Sequence, residues 1–217
     1  MVPLVVASFK AIDAARGQFG ELMIAGKKIV IGALIPADFA SLYGWFNDVA
    51  AVRLDGNFRP VNLANHLQWC QNLGNDPTKV MFAVRKCADP AIVGYLNISS
   101  INGLHRSADI GIRIGEEKNR NQGFGKEALR LGLDYCWKHL NLERVSLTVF
   151  SKNARAIHVY RTVGFKKEGT LRRYCFVDGE WIDTVIMAAF RPSPRQTRKS
   201  TVGTSHDATG QNAMTAL

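Results

Sequence analysis

Arg120-Asn121-Gln122-Gly123-Phe124-Gly125-Lys126 sets two glycines between two cations, a combination suited to holding a phosphate. Glycine lets backbone approach an anion with no Cβ in the way. The segment follows an alternating apolar run, Ala108 to Gly115, and opens an amphipathic stretch reaching His139. Strand, short basic loop and helix in that order turn the free N–H groups of a helix N-terminus toward the loop. Arg120 and Lys126 add positive charge beside it, so the expected ligand is a diphosphate.

Two common phosphate loops fit poorly. The string G-x-x-x-x-G-K-[ST] of a P-loop is absent. A dinucleotide fingerprint needs three glycines early in a βαβ unit and an acid about 20 residues on. Ala128 is tolerable as the third position, but Glu143 begins a strand-like run and about 120 residues precede the loop.

Arg-x-x-Gly-x-Gly after a strand resembles the acetyl-CoA loop of the GNAT N-acetyltransferase superfamily. Downstream, the apolar run Leu142 to Val149 leads into Asn153-x-x-Ala156-x-x-x-Tyr160-x-x-x-Gly164-Phe165. This is similar to the family's second signature, with every specified position matched. Glu168 to Arg172 and the hairpin Val177 to Asp183 resemble the RimJ/RimL-like branch, which also contains spermidine acetyltransferases. The resemblance covers roughly residues 27 to 190.

The fold it implies is α/β (α+β): one GNAT-like domain with a mixed, twisted, mostly antiparallel sheet of about seven strands. Helices flank the sheet, and two strands splay apart at the cofactor site. Residues 1–26 are then an N-terminal extension and 191–217 a disordered basic tail. Acetyl-CoA is the implied acyl donor. Backbone groups of Ile112 and Ile114 are expected to bond its pantetheine arm like an added strand. The loop Arg120, Asn121, Gln122, Gly123, Phe124, Gly125 and Lys126 is expected to hold the pyrophosphate, and Asn153 to touch the arm. Tyr160 matches the family's general acid. Asp109 is the first choice for the base and Asp183 the second. Between Asp109 and Arg120 the chain is one residue longer than the shortest family versions, which leaves contacts ahead of Arg120 unsettled.

Plainer readings accompany each assignment. By pattern alone, Tyr160 is a half-buried helix residue packing on Ile157 and Phe165, and Asn153 is a helix cap. Asp109 reads equally well as a solvent-facing residue of an alternating strand. His158, two residues from Tyr160 on a helix, faces elsewhere.

The elements expected around these residues are a strand at 27–34 and helices at 36–47 and 61–73. Strands follow at 80–85, 92–99 and 106–114, then the long helix. A strand at 144–150, a helix at 153–163 and a hairpin turning at Asp178-Gly179 complete the domain. With 217 residues, 47% hydrophobic and 21% charged, the chain suits one soluble core. No apolar run reaches membrane-spanning length, no signal peptide is evident, and a cytoplasmic enzyme is expected. Cys70, Cys87, Cys136 and Cys175 are scattered and the five histidines lack ligand spacing, so no metal is expected.

Net charge is +10, of which +3 belongs to the tail from Arg191 onward. Nucleic-acid binding is the minority reading, because no basic cluster interleaved with aromatics is present. A non-catalytic acyl-CoA-binding regulatory module is the other alternative. The expected partner is a primary-amine acceptor, with a homodimer left open. Trp45, Phe46, Asp48, Arg53, Asp55 and Phe58 are placed at the acceptor mouth, and Trp69 in the core. Leu54 to Pro60 is poor in acid and carries Arg59, which argues against a polyamine.

Overall fold

A computed structural model describes residues 23–193, apart from 54, 55, 57 and 88. Most of the expected extension and tail therefore lies outside the described residues, as does Asp55.

Eight strands form one sheet: β1 (Met23–Ala25), β2 (Ile29–Gly32), β3 (Val80–Lys86), β4 (Asp89–Asn102), β5 (Ser107–Ile114), β6 (Arg144–Phe150), β7 (Lys166–Val177) and β8 (Glu180–Phe190). Their spatial order is β1-β2-β3-β4-β5-β6-β8-β7. Every neighbouring pair is antiparallel except β5 with β6. The mixed, mostly antiparallel architecture is as expected, with one strand more. That strand, β1, falls inside the segment expected as an extension.

The helices are α1 (Phe39–Phe46), α2 (Val49–Val52), α3 (Leu63–Gln71), α4 (Phe124–Lys138) and α5 (Ala154–Val163). α4 buries Phe124, Ala128, Leu129, Leu133, Cys136 and Trp137, a stripe at helical spacing. Gly132 brings it close to the sheet: a Cβ there would lie 2.6 Å from Leu96 and 3.2 Å from Ile110. Burial inside this layer pushes the Cys136 thiol up to about 12, so it behaves as an inert apolar group. α5 ends at Gly164 with φ +114°, a left-handed turn that drops Phe165 into the core.

A second small core, Leu42, Trp45, Ala83 and Ile92, lies under α1. It is pinned by a buried ion pair, Arg85 Nη2 to Asp38 Oδ2 at 2.5 Å. The Asp38 carboxylate also accepts the Ile35 N–H at 2.8 Å, and Arg85 Nε donates to the Pro90 carbonyl at 3.0 Å. Removing one partner strands the other charge in an apolar setting, which costs about 3–5 kcal/mol. Asp38→Ala is thus expected to lower unfolding free energy in urea by that order. Pairing it with Arg85→Met should recover part of the loss.

At the far edge, Arg144 of β6 reaches across β8 to Glu168 of β7, with Nη1 donating to Oε1 at 2.7 Å. The guanidinium hydrogen bond holds the Glu168 carboxyl below its ordinary 4.5. A depressed folded-state value stabilises above the unfolded value and fades as pH falls through the folded one. The stability gap between wild type and Glu168→Gln should therefore be present above pH 4.5 and close on further acidification. Urea unfolding across pH checks this.

Candidate active site

β5 and β6 pair over only three positions, Ser107↔Arg144, Ala108↔Val145 and Asp109↔Ser146. β5 continues to Ile114 on its β4 side alone, with Leu96↔Ile112 and Gly94↔Ile114. β6 continues to Phe150 on its β8 side alone. The two strands thus diverge and open a cleft of about 670 Å³ lined by Ile112, Ile114, Thr148, Val149 and Phe150 among others. The backbone edge of β5 beyond Asp109 faces this cleft without a strand partner in the sheet.

Both helices that follow these strands start at the cleft. Gly123, Phe124, Gly125 and Lys126 line it from the first turn of α4, and Asn153, Arg155 and Ala156 from the start of α5. Two helix N-terminal ends, each carrying a partial positive charge, therefore converge on one space. Gly123 caps α4 in the left-handed region, φ +86°. Asn121 is also left-handed, φ 62°, which Asn tolerates better than most residues. Gly125 rests on β5: a Cβ there would meet Ile114 at 3.6 Å and Ile112 at 3.9 Å.

The remaining loop residues are tied down. Arg120 Nη2 donates to the Gly115 carbonyl at 2.8 Å and Gln122 Nε2 to the Lys118 carbonyl at 2.6 Å. Arg155 Nη1 reaches Asn121 Oδ1 at 3.4 Å, linking α5 to the loop. The Asn153 side chain accepts the Ala156 N–H at 3.1 Å, so it caps α5 while facing the cleft. Tyr160 is 9% exposed, lines the cleft, and stacks edge-on to Phe165 with ring centroids 5.9 Å apart.

Of the expected site residues, Ile112, Ile114, Arg120, Asn121, Gly123, Phe124, Gly125, Lys126, Asn153 and Tyr160 share this cleft. Gln122 is in the same loop but faces outward, exposed. Phe124 sends its ring into the main core. Asp109 stands apart: it is exposed, sits where β5 and β6 are still paired, and is about 10 Å along the strand from Ile112. The Asp183 carboxylate accepts the Arg173 N–H at 2.7 Å. That bond supports a bulge in β7, with Arg173 at φ 50°, beside the cleft residues Tyr174 and Cys175.

The residues expected at an acceptor mouth are engaged elsewhere. Trp45 is buried with its ring over Gly115, and Phe46 packs into a cluster with His66, Trp69 and Tyr95. Asp48 caps α2 through the Ala50 and Ala51 N–H groups, and Arg53 pairs with Asp178 at 2.7 Å. Ala51, Arg113, Tyr174, Cys175 and Thr184 line the cleft, and none of the described residues expected at the mouth does. Asn119, buried and facing the cleft, was also missed, because it lies in the stretch where the loop length departs from the family pattern. Arg155 had a signal, since it falls inside the second signature. Among the described residues, no group of three or more His, Cys, Asp or Glu could hold a metal, and no helix is long and apolar enough to cross a membrane.

A splayed strand pair with helix N-termini at its open end suits a long phosphate-bearing thioester, which points to the CoA-dependent acyltransferases. Residues 28–166 match the model of the acetyltransferase (GNAT) domain, and the chain belongs to that family: it is an acetyl-CoA-dependent N-acetyltransferase. An L-amino acid N-acetyltransferase of Escherichia coli is 36% identical over 123 residues, 55% of this chain and 74% of that one. A spermidine N(1)-acetyltransferase of Escherichia coli is 32% identical over 117 residues, 54% of this chain. The matched stretch spans 61% of that enzyme, less than two thirds of its length. In fold, the chain is similar to a spermidine N-acetyltransferase from Vibrio cholerae solved with CoA and spermine. The TM-score is 0.69 and the identity 24%, over 76% of this chain and 96% of that one.

Gly123 has space for a side chain, since a Cβ there would meet only Lys28 Nζ at 3.9 Å. Its backbone conformation does not suit one, at about 1–2 kcal/mol for an L-residue. Gly123→Ala should weaken CoA binding by about tenfold through the loop alone, read by calorimetric titration.

Proposed function

We propose that the cleft binds acetyl-CoA along β5 and that the chain acetylates a small amine bearing its own negative charge, an amino acid above all. The observation that carries the acceptor class is the charge of the lining. Arg113, Arg120, Lys126 and Arg155 line the cleft together with two helix N-termini, and among the described residues no Asp or Glu does. With Arg120, Lys126 and Arg155 facing the diphosphate, Arg113 and the lack of a lining carboxylate are what the acceptor meets, which disfavours a polycation and favours an anion-bearing acceptor. The 36% identity to an amino acid acetyltransferase points the same way.

In this reading the residues from Asn121 to Lys126 hold the pyrophosphate by backbone N–H groups, with Arg120, Lys126 and Arg155 supplying charge. The open edge of β5 at Ile112 and Ile114 takes the pantetheine arm as an added strand, and Asn153 closes on it from the other side. Acetyl-CoA, when bound, supplies an activated acetyl group. Tyr160 donates its phenolic proton to the departing thiolate as the C–S bond breaks, and the amine contributes the new C–N bond. Asp109 takes the proton lost by the amine through intervening water, since it lies off the cleft wall. Tyr160 is then reset by exchange with solvent.

Tyr160→Phe keeps the ring packing on Phe165 and removes the phenolic hydroxyl that would supply the proton. It is expected to lower kcat roughly a hundredfold with little change in the KM for acetyl-CoA. Asp109→Asn should lower kcat roughly a hundredfold, and an unchanged kcat would remove Asp109 from the mechanism. CoA release against amino acids, amino sugars and polyamines tests the acceptor. Turnover with polyamines but not amino acids would overturn the assigned class.

A further inference from the structure

We propose that Lys28 is a positioning residue for the acyl donor, fixing the Gln122–Gly123 peptide so that the Gly123 N–H faces the diphosphate. This rests on the reading of the loop as the diphosphate site. Lys28 comes from the β1–β2 turn, far away in sequence, and its Nζ donates to the Gln122 carbonyl at 3.1 Å. The described residues contain no cis peptide. In a trans peptide the carbonyl and the following N–H point in opposite directions. An ammonium holding the Gln122 oxygen from outside therefore turns the Gly123 N–H away from itself. Gly123 is a lining residue of the cleft.

Lys28 is held well enough to act in this way. Its N–H donates to the two Glu127 carboxylate oxygens at 3.1 and 3.3 Å, and the Lys27 N–H donates to the same carboxylate. Its carbonyl accepts the Cys87 N–H at 3.0 Å. Glu127 lies in the first turn of α4, so this carboxylate fastens the β1–β2 turn to the helix that carries the loop. The turn can come this close because residue 26 is glycine; a Cβ there would collide with the Glu127 carboxylate. Neighbouring parts of the loop have separate ties, Arg120 to Gly115 and Gln122 to Lys118 through side chains. Lys28 alone, among the hydrogen bonds of the described residues, holds the peptide that carries the left-handed Gly123.

A mere staple between hairpin and helix would act on stability, whereas a positioning role acts on donor affinity. The test uses the full chain with Lys28→Met, Lys28→Arg and Lys27→Met, with acetyl-CoA kinetics, calorimetric titration with CoA and thermal unfolding. Met keeps the aliphatic stem and removes the donor, Arg restores a donor, and Lys27→Met removes the same charge one residue away. Lys28→Met is expected to raise the KM for acetyl-CoA and the Kd for CoA about tenfold while kcat and melting temperature hold. Lys28→Arg should recover most of the affinity, and Lys27→Met should change little. The proposal is overturned if Lys28→Met binds CoA as wild type does, or if kcat and melting temperature fall together with affinity. It is equally overturned if Lys27→Met matches Lys28→Met, which would reduce the effect to diffuse charge. Failure of the wild-type chain to bind CoA would instead overturn the loop reading itself.

Discussion

The structure turns on a pairing that stops. β5 and β6 are the one parallel neighbour pair in the described sheet, and they hold together for only three residues before parting. Backbone N–H and C=O groups left without partners in a folded core must find them elsewhere. The gap therefore has a built-in appetite for an extended, amide-bearing ligand. It also dictates the surroundings: each strand leads into a helix, and both helices begin at the open end with their positive dipole ends toward the same space.

What holds the gap open is the packing on either side. On the β5 side, α4 presses its apolar stripe on Leu96 and Ile110 through Gly132, and Gly125 settles on Ile112 and Ile114. Trp45 lies over Gly115, just past the end of β5, and Arg113 Nη1 donates to the Trp45 carbonyl at 3.0 Å. On the β6 side, the strand is zipped to β8 along its whole length, from Arg144↔Phe190 to Phe150↔Thr184. Each strand is thus committed to a different neighbour, and closing the cleft would mean breaking one of these packings. A preformed cleft spares the donor much of the ordering cost of binding.

Much of this was legible in the residues because it is encoded locally. Gly123 and Gly125 after an alternating strand, and Asn153 and Tyr160 at fixed spacing on one helix, carry their geometry with them wherever the chain places the elements. The unread parts are long-range. Lys28 meets Gln122, and Glu127 meets the β1–β2 turn, across nearly half the chain, with no periodicity to announce either contact. β1 has only three residues, too few for a strand pattern to emerge. Trp45 and Phe46 do not line the cleft for a related reason. Trp45 and Phe46 sit next to each other on α1, but one is consumed by Gly115 and the other by the His66, Trp69 and Tyr95 cluster, leaving the wall to small Ala51.

In the proposed complex an acyl donor completes the interrupted pairing of β5. Amide hydrogen exchange with and without acetyl-CoA tests it directly, because exchange reports backbone hydrogen bonding at individual segments. Added protection is expected in two places at once, residues 110–114 of β5 and 121–126 of the loop. Protection confined to the loop would place the pyrophosphate but deny the strand-like arm. No change at either segment under saturating acetyl-CoA would mean that the donor does not bind along β5.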